Sequence, residues 1–485
     1  MSCQRNSLMP IASLPPEILG GIFAFVQVRD VDDRGRRIEP LCWIALTHVC
    51  RRWRDIALDL PTLWVDLPID YPEWVEEMIY RSNECSFIVD AVISNERDYK
   101  SENSVSLNEE YVRIEPGLIT PLKHIHRIKE LILRCAGRDT WDALQRSISV
   151  TLYSAPRLER FYLEDTEDKD GSEFDHIDIS ENILCSTGSL WQLELFRCSV
   201  DWSSHTLLRC SLTHLKLFFL EDQFIPTAKV FVATLKAMPE LHVLELHMSF
   251  PTSKSWVSET LRILNLQNLH IKAPSLDLVG FFRHFTFPPT CAVQIVFLDD
   301  DEVDGSEFVR SYLNAGSDIT FRTLTLKPWP HSGGGILVKL FTQEGKELWM
   351  RKEFSRVARL EFEYWHAYLF HQWQVIFTKL IPQISDSEIN LCDIECVYLS
   401  STFSLMMPEV LAEAIGRFPT LRTVVGKGPG VQTLLDAMRV LPQARAPMSP
   451  TMPSMNSIID GVYFPNVTSL YFHGVAFVEQ SLSEE

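Results

Sequence analysis

The chain has 485 residues, more than one hydrophobic core usually organises, so several domains or a fold built by repetition is expected. Its formal net charge of −19 is unevenly spread: residues 1–60 are almost neutral and the acidic excess belongs to the rest, which disfavours phosphate backbones and anionic lipid as partners there. The 46% apolar share excludes wholesale disorder. The N-terminus lacks a basic start followed by an apolar stretch, no run approaches membrane-spanning length, and the eleven cysteines are scattered. A soluble protein with reduced thiols, cytoplasmic and/or nuclear, is expected.

Leu14-Pro15-Pro16-Glu17-Ile18-Leu19 reads as a helix start, because proline in the first turn gives up no hydrogen bond. The helix runs to about Val26, and Ile18, Leu19, Ile22, Phe23 and Val26 gather on one broad face. Residues 29–39 are charged and aperiodic, a loop. A second helix follows, carrying Cys42, Leu46, Val49, Cys50, Trp53 and Ala57 at helical spacing and stopped by Pro61.

The pairing of Leu-Pro-x-Glu-Ile-Leu, here Leu14 to Leu19, with Val49-Cys50-Arg51-Arg52-Trp53 resembles the F-box. The resemblance implies a module that binds the Skp-type adaptor of an SCF ubiquitin ligase and, through it, a cullin scaffold. Leu14, Pro15, Ile18, Leu19, Ile22, Phe23, Val49 and Trp53 are the implied adaptor contacts. The charged insertion at 29–39 departs from the compact family pattern. Two helices capping a repeat domain would also carry apolar faces, but would not require these two motifs together.

Residues 61–120 form a linker and the first repeat elements, with Thr62 to Leu67 strand-like and Tyr71 to Arg81 suited to a helix. From residue 121 to the end a repeat domain is expected. Apolar-x-x-apolar-x-apolar recurs with starts at Ile128, Leu158, Leu190, Leu212, Leu241, Leu261, Val293, Phe321, Val357, Ile394, Leu421 and Val467. Four of these are all leucine: Leu190/193/195, Leu212/215/217, Leu241/244/246 and Leu261/264/266. Such spacing resembles the leucine-rich repeat, in which a short strand turns alternate leucines into the core, and Cys198 fills the Asn/Cys position of one repeat. Amphipathic stretches lie between: Trp141/Leu144/Ile148, Leu276/Val279/Phe282 and Val431/Leu434/Leu435/Met438/Leu441.

The expected architecture is therefore α/β: N-terminal F-box helices over residues 1–60, then an irregular leucine-rich-repeat solenoid with parallel strands on a concave face and helices on a convex one. A doubly wound sheet is the weaker alternative, since no glycine-rich strand-to-helix turn occurs. Residues between the inward leucines would line the binding face, which gives Tyr162, Glu194, Lys216, Glu245, Phe297, Tyr398 and Tyr471 as target contacts, with Asn265 and Glu361 beside them.

No catalytic apparatus, metal site or cofactor is expected. The Asp300-x-Glu302-x-Asp304-Gly305 run ends on Ser311 where a calcium loop needs glutamate. His124/His126, His366/His371 and Cys392/Cys396 lack metal-site spacing, and Gly333-Gly334-Gly335 and Gly426 to Gly430 do not complete a phosphate loop. The expected function is noncatalytic: a substrate-recognition subunit of an SCF-type E3 ligase, with the F-box on the adaptor and the repeats on an unidentified protein. A scaffold acting outside a ligase is the alternative.

Overall fold

The computed structural model describes residues 10–26, 41–93, 116–148, 155–166, 177–179, 188–200, 202, 211–220, 225–252, 256, 260–288, 290–298, 323–328, 336–342, 360–364, 393–399, 407–416, 418–428, 430–440 and 463–473. The expected loop at 29–39 and the acidic run Asp300 to Gly305, and also Gly333 to Gly335, His366, His371 and Cys392, lie outside these residues. The chain divides into two compact units, Met1–Ile225 and Pro226–Glu485.

The first unit opens with a 3-10 turn, Pro10–Ser13, and helix α1, Pro16–Val26. The next helix is shorter than its apolar spacing suggests. A 3-10 turn covers Cys42–His48, Cys50 is extended (φ −160°, ψ 167°), and α2 spans only Arg51–Leu58. The break frees the Thr47 carbonyl, which accepts from Arg54 Nε at 2.9 Å. It also lets Trp43 turn fully inward, edge-on to Trp64 at 5.0 Å. Helical spacing reports a period, and a kink that keeps the same side inward leaves that period intact.

Strands and helices then alternate: β1 Asp66–Leu67, α3 Pro72–Arg81, β2 Phe87–Ile93, α4 Pro116–Lys123, β3 Ile128–Cys135, α5 Gly137–Ile148 and β4 Arg160–Asp165. Strands β5 Ile177–Ile179, β6 Gln192–Phe196, β7 Cys198–Val200 and β8 His214–Phe218 follow among the described residues of the unit. Helix α3 packs on α4 and α4 on α5, making a helical layer beside the sheet. The main sheet runs β1-β2-β3-β4-β6-β8, all parallel, while β5 and β7 pair separately.

Register explains the core. Val89, Leu131, Phe161, Leu193 and Leu215 align across five strands, and Ala91, Leu133, Leu163, Leu195 and Leu217 form the next row. All ten are buried. Parallel pairing in register stacks like positions, so leucines two apart on each strand become continuous apolar ribbons.

The second unit contains α6 Ala228–Lys236, β9 Val243–His247, β10 Leu261–Arg262, β11 Asn268–Ala273, α7 Ser275–His284, β12 Phe285–Thr286 and β13 Ala292–Phe297. After them come β14 Thr323–Pro328, β15 Ile336–Phe341, β16 Leu360–Tyr364, β17 Cys396–Leu399, α8 Pro408–Ile415, β18 Thr423–Lys427, α9 Gly430–Ala437 and β19 Ser469–His473. Thr227 caps α6, its hydroxyl accepting from Val230 N–H at 3.5 Å. Its main sheet runs β9-β11-β13-β16-β15-β14-β17-β18-β19, with β10 and β12 paired apart.

Two expectations fail in this unit. Strand β15 is antiparallel to both β14 and β16, and the three strands enter the sheet in reverse order, so the parallel succession is interrupted. The Leu261/264/266 triple does not form the sheet strand: Leu264 is 63% exposed, and the strand beside β9 is Asn268–Ala273, with Leu269 and Ile271 inward. The competing pair Leu269/Ile271 is β-branched at one position and sits in register with Leu244/Leu246, which a spacing count cannot weigh.

A local repeat does recur. Arg197 (φ 52°), Phe219 (φ 55°) and Met248 (φ 50°) are left-handed residues that directly follow β6, β8 and β9. Each lies seven positions after the first leucine of its triple, at Leu190, Leu212 and Leu241. The next residues, Cys198, Leu220 and Ser249, are all buried. Non-glycine residues enter this region at a cost, so three at one repeat position mark a shared turn.

Candidate functional site

The two N-terminal motifs meet in space. The Leu14 carbonyl accepts from Arg52 Nη2 at 2.5 Å, and the Phe23 ring lies 5.1 Å from that of Trp53. Gly20 is buried where α1 crosses Leu60: a Cβ there would stand 3.2 Å from the Leu60 side chain. Trp64 Nε1 donates to the Ala57 carbonyl at 3.0 Å, and the Arg81 guanidinium covers the Trp64 ring at 4.9 Å.

Packing splits the apolar residues of α1 between two roles. Leu19 and Phe23 are fully buried within the module, so neither offers a surface, and their assignment as partner contacts is corrected. Ile18 is 53% exposed and Ile22 36%, joined on the same stripe by Phe25 at 80% and Val26. Positions 18, 22, 25 and 26 follow i, i+4, i+7 and i+8, one face of a helix. Val49 and Pro15 are exposed too, whereas Leu14 and Trp53 are half-buried. On another side, an open groove of about 960 Å³ is lined by Gly20, Gly21, Ala24, Arg52, Asp55 and Ile56, among others.

The residues between the inward leucines form the opposite face of each sheet. In the first unit Tyr162, Glu194 and Lys216 align on β4, β6 and β8. Glu194 is almost fully buried: Arg160 donates to it at 2.9 Å and Lys216 Nζ approaches at 3.6 Å. Tyr162 O–H donates to Glu164 at 2.8 Å, with the Arg134 guanidinium 5.3 Å from its ring. Burial and that carboxylate hold the phenol well above its ordinary pKa, so it stays protonated and donating. Phe196 and Phe218 stack at 3.8 Å in the neighbouring row.

In the second unit Tyr398 and Tyr471 flank Val425 in one row, the former half-buried and the latter exposed. Phe297 does not join them. It is buried in register with Ala273, in line with Val293 and Ile295 on the inner face, so its place on the binding face is corrected. The apolar triple began at Val293 and took Val296 as inward, one residue out of step, and a one-residue slip exchanges the faces.

Glu245 sits among two histidines that spacing did not single out. Its Oε1 lies 2.8 Å from His270 Nδ1 and 3.3 Å from His247 Nε2, and the two ring nitrogens are 3.4 Å apart. All three side chains are partly buried. Burial pushes the His247 imidazole below its usual pKa, so it is neutral at pH 7. His247 was within reach of the alternation on β9, two residues beyond Glu245. His270 was hidden by the misplaced Leu261 strand.

Residues 11–68 match the F-box-like family. No curated protein matches the chain. The F-box-like domain thus ends just beyond α2, at the first sheet strand, and takes in Trp64 and its contact with Trp43. Its match supports an F-box protein with an adaptor role of the SCF type, since such domains generally bind Skp-type adaptors. Among the described residues, no helix is long and apolar enough to cross a membrane.

Proposed function

We propose that the chain is a noncatalytic substrate-recognition subunit of an SCF-type ubiquitin ligase. In this reading the F-box-like domain engages the Skp-type adaptor, and through it the cullin, by the exposed stripe Ile18, Ile22, Phe25 and Val26, together with the exposed Pro15 and Val49. The observation that carries the proposal is that this stripe stays in water while Leu19 and Phe23, one position further round, supply the domain's own core. Four large apolar side chains on one face of one helix are an interface composition rather than a solvated one.

The sheets would then hold the target. The recurring left-handed turn and the stacked leucine rows support an irregular leucine-rich-repeat solenoid, and its outward residues Tyr162, Lys216, Tyr398 and Tyr471 offer aromatic and charged contacts. Ubiquitin transfer would follow from proximity, by raising the effective concentration of a target lysine at the transferring enzyme.

Co-expression with a Skp-type adaptor followed by capture tests the proposal. The native chain retains the adaptor, and an Ile18→Asp/Ile22→Asp variant loses it by on the order of a thousandfold in affinity, because a charge enters an apolar contact. Full retention by a folded variant refutes the stripe as the interface. Absence of any adaptor binding by the native chain favours the scaffold reading.

A further inference from the structure

We propose that Glu245, His247 and His270 form a binding site for a divalent transition-metal ion of the zinc class. Glu245 and His247 lie two residues apart on β9 and so share the outer face, while His270 stands directly opposite Glu245 on β11. The three donor atoms are 2.8, 3.3 and 3.4 Å from one another. In a tetrahedral zinc site with bonds of about 2.0–2.1 Å the ligand atoms are roughly 3.3 Å apart, so the spacings of the three donors are already close to the edge lengths of a coordination tetrahedron. Closing round an ion needs only the Glu245–His270 pair to open by a few tenths of an ångström.

The chemistry of the donor set favours this class of metal. Two imidazoles and one carboxylate are intermediate ligands that suit zinc and its first-row neighbours, whereas magnesium and calcium take oxygen shells. Both strands belong to a continuous hydrogen-bonded sheet, so the site is fixed by backbone register rather than by a loop. Lys272 lies on the same face, opposite His247, and its charge opposes a cation; the Glu245 carboxylate offsets it. Three protein donors leave a fourth position for water on the outer face. The inference is independent of adaptor binding, since none of its residues lies in the F-box-like domain.

Zinc titration of the full chain against a chromophoric chelator is the test, with cobalt as an optical reporter of tetrahedral coordination and magnesium as a control. The chain also holds cysteines, so the decisive quantity is the difference between native protein and variants that keep size and hydrogen bonding, His247→Gln and His270→Asn. The native chain is expected to bind one more equivalent of zinc than the double variant, and each single variant to lower the affinity of that equivalent on the order of 100-fold. Magnesium leaves both unchanged. Equal uptake by native chain and folded double variant, or no uptake by the native chain, overturns the proposal and leaves a hydrogen-bonded trio.

Discussion

The ring of Phe23 on α1 lies 5.1 Å from that of Trp53 on α2, and Phe23 has no exposed surface. This contact joins the two motifs that open the chain, so Phe23→Ala should remove the packing that holds the helices together. A loss of about 3–5 kcal/mol is expected for a fully buried phenylalanine. Chemical denaturation measures it, and a change under 1 kcal/mol would return Phe23 to the surface. Ile18→Ala, on the exposed stripe, should move the midpoint little while weakening adaptor capture.

Two adjacent glycines of α1 should respond in opposite ways. Gly21 has open space where a Cβ would stand, so Gly21→Ala gains the helical preference of alanine, about 0.5–1 kcal/mol. Gly20 meets Leu60 at 3.2 Å, so Gly20→Val overfills the crossing and should cost about 1–3 kcal/mol. Thermal unfolding of the two variants reads the difference, and equal shifts would mean that α1 does not cross Leu60 closely.

Glu194 links Arg160 and Lys216 across three strands while itself almost fully buried. Glu194→Gln should cost about 1.5–3 kcal/mol, the range for a hydrogen bond to a charged group, because Arg160 and Lys216 then flank a neutral side chain. Because Arg160 and Lys216 are partly exposed, the loss should shrink in high salt, which denaturation at two ionic strengths would show.

Thiol reactivity should separate the cysteines by burial. Burial, aided by the charge of Glu395, pushes the Cys396 thiol up to about 12, so almost no nucleophilic thiolate exists at pH 7.5. Cys42 is exposed. Alkylation of the native protein followed by peptide mass analysis should label Cys42 within minutes and Cys396 only after unfolding. Early labelling of Cys396 would show that β17 opens readily.

Legibility varied along the chain with the kind of signal. Eleven of the twelve residues in the four all-leucine triples are buried, yet one triple, at Leu261, marks a segment beside the sheet rather than in it. The Phe297 error has the same origin, because apolar residues on both faces of β13 give two registers and only pairing with β11 chooses between them. The reversal of β14, β15 and β16 had no local signal at all, since a strand's residues are the same whichever way its neighbour runs.

By itself the sequence determined the motif pairing at the N-terminus, the α/β alternation and most strand positions, because proline placement, helical period and leucine spacing act over a few residues. Only tertiary structure decided which face of α1 is core and which is stripe, that the second helix breaks at Cys50, and that His270 joins Glu245 and His247. Those outcomes depend on which distant segments meet, through helix crossings and strand register, and no local pattern encodes that choice.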